Sequence, residues 1–193
     1  WSDPNARLAT SVLIGTMPII CVGIFIKLFW HGYESSFLRS IPAVGIVSII
    51  MSLLLALSEI YGSRKINLKN INNSYGSFVG LSQVLALIPG VSRSGITITS
   101  AMLIGFDRSS AARFSFLLGI PAISISGIIE FNEIVSSSSF IDVFPLIFGV
   151  ISSAITSWFA IDFLINFLKS NSTKIFIYYR LAFGVFLLVN WYL

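Results

Sequence analysis

The sequence 87-LIPGVSRSGIT-97 places an arginine, serine and threonine hydroxyls and a Pro-Gly pair within a long apolar region. A charged side chain inside a membrane costs about 2.5–3.5 kcal/mol on insertion scales, so such a residue indicates a functional site. Arginine offers a planar set of donors that suits phosphate oxygens. A helix N-terminus adds unpaired N–H groups and the positive end of a dipole. The segment therefore predicts a phosphate-binding site around Arg93.

The spacing after the Pro-Gly pair predicts which groups face this site. Arg93 and Thr97 are one helical turn apart and belong to one polar stripe. Either Ser92 or Ser94 is expected to cap the helix, and Gly90 is expected to let the backbone approach a ligand closely. An ordinary capped turn is the alternative, but such a turn needs no arginine between two apolar helices.

The composition indicates an integral membrane protein. The chain is 55% hydrophobic and 10% charged, whereas soluble domains are about 25% charged. The net charge of +4 comes from basic residues scattered through the loops, which does not favour nucleic acid as a partner. The single cysteine, Cys21, and the single histidine, His31, do not support a metal site built from these residue types.

The pattern of apolar segments predicts an all-α, polytopic membrane helix bundle with a re-entrant helical hairpin. Two runs, 75–88 and 92–106, are too short to cross a bilayer that needs about 20 residues, and they flank Pro89 and Gly90. Two short halves around such a tip predict a re-entrant hairpin or a broken helix. We expect one integral-membrane domain over residues 1–193. Its five full spans are predicted at 8–30, 41–61, 110–129, 141–168 and 175–192.

The cations favour a hairpin that returns to the side from which it enters. If the N-terminus is cytoplasmic, the outer loops at 31–40 and 130–142 hold one cation, Arg39. A full crossing by the hairpin would weaken this bias toward positive charge inside. The segments 1–7, 62–74, 107–113 and 169–174 hold the eight inner cations: Arg7, Arg64, Lys65, Lys69, Arg108, Arg113, Lys169 and Lys174.

Two polar side chains lie near the ends of apolar runs. Gln83 is either a buried amide bonded to a neighbouring helix or a polar contact in the active cavity. Glu59 is expected to form an interfacial pair with Arg64.

Two further charged side chains lie within the last two spans. Asp162 is expected to be a structural partner of Arg180 or Lys169. Arg180 lies near the start of the last span, where its side chain is expected to snorkel to the cytoplasmic surface.

The central motif resembles that of the bacterial undecaprenyl-diphosphate phosphatase family, also known for bacitracin resistance. The resemblance rests on 89-PGVSRSGIT-97, on 83-QVLALI-88 before it and on 111-AARFSFLLGIP-121 after it, and it extends to Tyr179 and Arg180. It implies a fold of two inverted repeats, each with a re-entrant hairpin, whose tips meet near mid-membrane.

The resemblance implies hydrolysis of undecaprenyl diphosphate to undecaprenyl phosphate and inorganic phosphate in the bacterial plasma membrane, which recycles the lipid carrier for peptidoglycan precursors. Diphosphate chemistry needs donors where charge builds on the transferring oxygens. Arg93, Ser92 and Ser94 are therefore expected to be catalytic. Substrate-binding roles are expected for Gly90, Thr97 and Gln83, with Gln83 orienting the head group or a water.

The chain departs from the family in one respect. Neither the glutamate-rich first hairpin nor the Ser-Ser-Thr-Gly-His-like segment of the family is found. The chain is therefore expected to be the C-terminal two thirds of such an enzyme, without the N-terminal hairpin and helices, and inactive alone. The family implies a divalent cation, Mg²⁺ or Ca²⁺, whose ligands are expected outside this chain.

The expected partners are a polyprenyl diphosphate lipid and membrane lipids, with homo-oligomerisation left open and no nucleic acid. Two other functions remain open. Broken helices that meet at mid-membrane are also typical of transporters. A structural membrane module, the remnant of an enzyme, is the third alternative.

Overall fold

The computed structural model describes residues 3–137 and 143–192, whose regular secondary structure is helical apart from one isolated β-bridge. This confirms the all-α class. Short 3₁₀ turns occur at Phe37–Arg39, Leu68–Asn70 and Val84–Leu87. The α-helices are α1 (Pro4–Phe29), α2 (Ile41–Tyr61), α3 (Asn73–Gln83), α4 (Arg93–Leu103), α5 (Arg108–Ser137), α6 (Val143–Ser170) and α7 (Lys174–Tyr192).

Five of the described helices, α1, α2, α5, α6 and α7, are long and apolar enough to cross a membrane. They correspond to the five predicted spans, and the chain is a multi-pass membrane protein. Helix α5 continues to Ser137, so part of the predicted outer loop at 130–142 is helical. Residues 138–142 of that loop lie outside the described part of the chain.

Side-chain caps mark where these helices begin. The Asp3 carboxylate accepts the Asn5 N–H (3.0 Å), and Pro4 follows it in the first turn of α1. The Asn72 side chain accepts the Tyr75 N–H (2.9 Å) at the start of α3. These bonds satisfy backbone donors that have no acceptor within their own helix.

The α3–α4 segment is a hairpin that enters and leaves at one end of the bundle. The last turn of its first arm, Val84–Leu87, tightens to a 3₁₀ turn before Pro89, where a following proline disfavours α-helical backbone. The Ile66 N–H donates to the Gly105 carbonyl and the Asp107 N–H donates to the Ile66 carbonyl, each at 2.9 Å. These two bonds close the base of the hairpin and confirm the re-entrant prediction.

Glu59 joins three segments at the base of the hairpin. This buried carboxylate ends α2 and accepts hydrogen bonds from Arg64 (3.0 Å), from Arg108, and from the Thr173 hydroxyl (2.7 Å). The predicted pair with Arg64 is confirmed, and Arg108 and Thr173 extend it to the starts of α5 and α7. The cation-rich segments 62–74, 107–113 and 169–174 therefore share one end of the bundle.

Small residues let α1 and α3 approach closely. A Cβ atom on Gly76 would lie 2.6 Å from the Ser11 carbonyl oxygen, and one on Gly80 would overlap the backbone of Gly15. The Thr10 hydroxyl donates to the Asn73 side chain (3.1 Å), which places the start of α1 at the base of the hairpin. Close backbone approach at small residues is typical of membrane helix pairs.

The same principle pairs α2 with α7. A Cβ atom on Gly45 would lie 3.1 Å from the Gly184 carbonyl oxygen, and one on Gly184 would lie 2.8 Å from that of Gly45. The Ser52 hydroxyl donates to the Ile177 carbonyl (2.8 Å). This pairing fixes the rotation of α7 and hence the direction of its polar side chains. The described residues contain one re-entrant hairpin, and its pairing with an inverted second one stays a prediction.

We predict that Asn70→Cys and Ser109→Cys, each made in a Cys21→Ser background, are labelled from the same, cytoplasmic side. The positions flank the hairpin, whose ends are closed by the Ile66 bonds. A membrane-impermeant thiol reagent in intact cells and in inverted vesicles measures the side. Glu34→Cys, in the exposed loop between α1 and α2, is the control and labels from the opposite side. Labelling of the two test positions from different sides contradicts the hairpin.

Candidate functional site

The tip of the hairpin adopts two left-handed backbone conformations. Gly90 has φ +91° and Ser92 has φ +65°. A Cβ atom on Gly90 would lie 2.8 Å from the Val44 carbonyl oxygen, so the tip packs directly on α2. A non-glycine residue at positive φ costs on the order of 1–3 kcal/mol and persists only where the surroundings impose it. The conformation of the tip is therefore imposed by its packing on α2, and the tip is not a loose loop.

Ser92 begins α4 as its cap. Its hydroxyl accepts the Gly95 N–H (3.3 Å), which confirms that one of the two predicted serines caps this helix. The first-turn N–H groups of Arg93 and Ser94 have no acceptor within the helix, as at any helix N-terminus. They point, with the dipole, toward the tip and make it suited to an anion.

Arg93 extends from this N-terminus toward α5. Its side chain is half-buried, and one Nη donates to the Ser115 carbonyl (3.2 Å). A Cβ atom on Gly119 would overlap the guanidinium, so Arg93 lies directly on the bare backbone of α5. Within the described part of the chain, no carboxylate lies within 4.0 Å of Arg93. Of its five N–H donors, one has a protein acceptor among the described residues.

Thr97 lies between two helices rather than in a cavity. Its side chain is fully buried, and its hydroxyl pairs with the Ser115 hydroxyl (2.7 Å) and donates to the Arg93 carbonyl (2.9 Å). The polar stripe predicted from the sequence exists, but it faces α5. Thr97 thus lies one turn behind Arg93 and contacts Ser115 on α5.

Ser94 and Ser92 line a cavity of about 250 Å³ that Arg93 does not enter. Gly95 and Arg180 share its polar end. The other walls are mostly apolar and come from α2, α4, α6 and α7. They are formed by Leu55, Ile98, Leu164, Leu168, Thr173, Phe176 and Tyr179.

Arg180 reaches the tip from α7, and the snorkelling prediction for it is wrong. Its Nη2 donates to the Gly90 carbonyl (2.6 Å). Its Nη1 lies against Gly95, because a Cβ atom on that glycine would be 2.5 Å from it. Its side chain is half-buried. The sequence signal that could have identified it is its position six residues into a 19-residue span, about 9 Å along the helix, where a charge is costly.

Arg93 lines a second, larger cavity of about 790 Å³ between α5 and α6. Its other charged residues are Arg113 and Asp162. The Asp162 carboxylate accepts a hydrogen bond from the Asn166 amide nitrogen (3.1 Å). Lys169 donates to the Asn166 amide oxygen (2.7 Å). The prediction that Asp162 pairs directly with Arg180 or Lys169 is therefore wrong, because Asn166 lies between Asp162 and Lys169 and Arg180 points to the tip.

Gln83 is fully buried, and within the described residues neither its amide nitrogen nor its amide oxygen has a hydrogen-bond partner. It follows Gly76 and Gly80 on the stripe of α3 that faces α1. The first alternative, an amide bonded to a neighbouring helix, is not observed. A buried amide without a partner costs about 1–3 kcal/mol, which indicates that water or another polar group satisfies it.

The described residues bring together no group of three or more His, Cys, Asp or Glu side chains that could hold a metal ion. Asp162 is the acidic residue that lines the cavity of about 790 Å³ next to Arg93. No acidic residue among the described ones lines the cavity of about 250 Å³ next to Arg180. These residues do not by themselves fit a divalent cation.

Comparison with known proteins shows that the chain belongs to a family. The family described as "Bacitracin resistance protein BacA" matches residues 1–186. A Prochlorococcus marinus protein named "Undecaprenyl-diphosphatase" is 55% identical over the whole chain, which covers 67% of that protein. A Synechococcus sp. (strain CC9311) protein of the same name is 53% identical over 99% of the chain and 68% of its own length. The chain spans about two thirds of the length of the curated relatives it matches.

Proposed function

Because the chain belongs to the bacitracin resistance protein family, we propose that its hairpin tip is the phosphate-binding part of an undecaprenyl-diphosphatase active site. The reaction is the hydrolysis of undecaprenyl diphosphate to undecaprenyl phosphate and inorganic phosphate, which recycles the lipid carrier for peptidoglycan synthesis. The observation that carries the proposal is Arg93. It is a half-buried guanidinium at a helix N-terminus, with no carboxylate partner among the described residues.

Arg93 stabilises the charge that develops during hydrolysis. Water attacks the terminal phosphorus, the bond from that phosphorus to the bridging oxygen breaks, and the electron pair leaves with undecaprenyl phosphate. Negative charge therefore builds on the terminal and bridging oxygens, where fixed donors are most effective in a site of low dielectric. The remaining N–H groups of Arg93 and the first-turn N–H groups of α4 supply such donors.

The contacts of Arg93 with α5 hold it in place before the substrate arrives. The Ser115 carbonyl accepts one of its N–H groups, and the backbone at Gly119 lies against the edge of the guanidinium that carries Nη1 and Nη2. Thr97 binds the hydroxyl of the same Ser115. We therefore assign Thr97 a positioning role behind Arg93. Ser92 and Ser94 remain the proposed hydroxyl contacts to phosphate, and Gly90 remains the close backbone contact.

Gln83 is proposed to bind a water molecule or a polar group next to the head group. The support is its complete burial with both amide atoms unpartnered among the described residues. Buried amides are satisfied in nearly all folded proteins, so this one indicates a polar neighbour.

The divalent cation, magnesium or calcium, also remains a proposal. Because the described residues contain no cluster of metal-ligating side chains, no step is derived through it. We propose that carboxylates outside the described residues hold the ion.

The hydrocarbon part of a polyprenyl diphosphate fits the apolar surroundings. Much of α6 is exposed and apolar, including Phe148, Trp158 and Phe159, as expected for helices that contact lipid. The bacterial plasma membrane is the proposed location, because undecaprenyl diphosphate is an amphipathic lipid. A second copy of the chain remains an untested partner. The carrier alternative has no support in the names of the relatives.

We predict that Arg93→Lys, in the complete protein, lowers kcat for undecaprenyl diphosphate by roughly two to three decades. Lysine keeps the charge but cannot make the planar two-pronged contact with phosphate. Released phosphate measures the rate, and membrane yield with a thermal unfolding curve shows that the variant is folded. Arg39→Lys, at an exposed arginine in the α1–α2 loop, is the control. Near-normal kcat for Arg93→Lys contradicts the assignment.

We also predict that Gly119→Ala lowers kcat about tenfold to a hundredfold without unfolding the protein. The new methyl group occupies the position of the Arg93 guanidinium, and this flexible end of the side chain must move. Misplacement by about 1 Å costs up to a hundredfold in rate. Gly127→Ala on the same helix is the matched control, because its Cβ atom would meet nothing within 4 Å.

The double variant Arg93→Lys/Gly119→Ala separates this mechanism from a general disturbance of α5. If the alanine acts by displacing Arg93, the double variant is about as slow as Arg93→Lys alone, because coupled residues are not additive. Multiplied losses of kcat mean that Gly119 acts on something other than Arg93.

A further inference from the structure

Arg180 is a second intramembrane cation whose direction the family match does not explain. Of its five N–H donors, one binds the Gly90 carbonyl. Among the side chains that the structure describes, no carboxylate lies within 4.0 Å of it. A cation in a membrane span is costly unless paired, so the remaining donors of Arg180 indicate an anion at the tip.

Arg180 and Arg93 lie on different cavities. Arg93 turns toward Ser115 and Gly119 on α5 and lines the cavity of about 790 Å³. Arg180 lines the cavity of about 250 Å³ together with Ser92 and Ser94. The N-terminus of α4 contributes to both. A diphosphate has two phosphoryl groups, and the two cavities offer one arginine to each.

We propose that Arg180, with the hydroxyls of Ser92 and Ser94, binds the phosphate that carries the lipid chain, while Arg93 binds the terminal phosphate. This inference rests on the proposed function and assigns the two ends of its substrate. The Ser92 oxygen accepts the Gly95 N–H, which leaves its own hydrogen free to donate to a phosphate oxygen.

The charged residues of the two cavities favour this orientation. Both cavities are lined mainly by apolar side chains, but Arg180 is the one charged residue among those described that lines the smaller cavity, whereas Arg113 and Asp162 line the larger cavity together with Arg93. The terminal phosphate carries more charge than the lipid-linked phosphate, and burying charge without charged or hydrogen-bonding partners is costly. The larger cavity therefore suits the terminal phosphate and gives more room for the attacking water.

The decisive experiment measures product inhibition in the complete protein. We expect Arg180→Gln to raise the inhibition constant for undecaprenyl phosphate about tenfold to a hundredfold, the loss of one charge-assisted contact, and to raise KM by a similar factor. Inhibition by inorganic phosphate stays within about twofold of the unchanged protein, because its site is that of Arg93. Arg180→Lys restores part of the loss. Lys174→Gln, at an exposed cation on the same helix, is the matched control.

Two further variants probe the site without removing the arginine. Gly95→Ala places a methyl group 2.5 Å from the Arg180 Nη1, so it should weaken undecaprenyl phosphate binding but add nothing to Arg180→Gln. Leu164→Trp fills the apolar end of the cavity. It should weaken the binding of undecaprenyl phosphate and leave the inhibition constant of inorganic phosphate unchanged. An additive effect of Gly95→Ala, or unchanged inhibition with Leu164→Trp, contradicts the proposal.

Other outcomes overturn it directly. If Arg180→Gln weakens inorganic phosphate rather than undecaprenyl phosphate, Arg180 binds the terminal phosphate. If Arg180→Gln lowers only the unfolding temperature and leaves KM and both inhibition constants unchanged, Arg180 is a structural clamp on Gly90. Thermal stabilisation by undecaprenyl phosphate measures this site without turnover. If the unchanged protein does not hydrolyse undecaprenyl diphosphate, the proposed function is contradicted. The orientation is still tested in that case, because we expect Arg180→Gln to lose the thermal stabilisation by undecaprenyl phosphate.

Discussion

The cost of an arginine in hydrocarbon determines the arrangement of this bundle. A guanidinium in a membrane span remains charged, so its donors must find oxygen atoms within the protein or in a ligand. Arg93 and Arg180 each find one backbone carbonyl, that of Ser115 and that of Gly90. Both carbonyls are reachable because small residues bring backbone close to the arginines, Gly119 on α5 and Gly95 on α4. The remaining donors of both arginines have no acceptor among the described residues, and this is the basis for the proposed anion site.

Contacts distant from the tip fix its position. The α2–α7 pair is set by the close approach of Gly45 and Gly184, and this approach aims Arg180 at the hairpin. At the other end, Glu59 joins the starts of α5 and α7 to the end of α2, and a two-bond bridge at Ile66 closes the hairpin. Because membrane helices gain little from hydrophobic burial against one another, packing and hydrogen bonds of this kind carry the association.

The sequence was sufficient to predict the elements, the five spans, the hairpin and the Glu59–Arg64 pair, because length, hydropathy and cation placement are local properties. It was not sufficient to predict the direction of side chains within the bundle. Thr97 and Arg93 share a stripe, yet the stripe faces Ser115 on α5. Arg180 is close enough to the helix end for snorkelling, but the rotation of α7 turns it inward. Such directions depend on which helix faces which, and that is a non-local outcome of packing.

In the proposed arrangement, the two arginines act on different ends of the diphosphate. The bridging oxygen leaves with the lipid-linked phosphate and gains charge as its bond to the terminal phosphorus breaks, while the charge of the transferring group is spread over its equatorial oxygens. A donor on the lipid-linked phosphate therefore binds the substrate in the ground state and also stabilises the leaving group in the transition state. A donor on the terminal group holds that group for attack by water, and the part of either interaction that strengthens in the transition state raises kcat. The N-terminus of α4 lies between the two cavities, so both phosphates of the substrate would lie near the positive end of the same helix dipole. In the proposed arrangement, Arg93 and Arg180 thus hold the two phosphates on opposite sides of the bond that breaks.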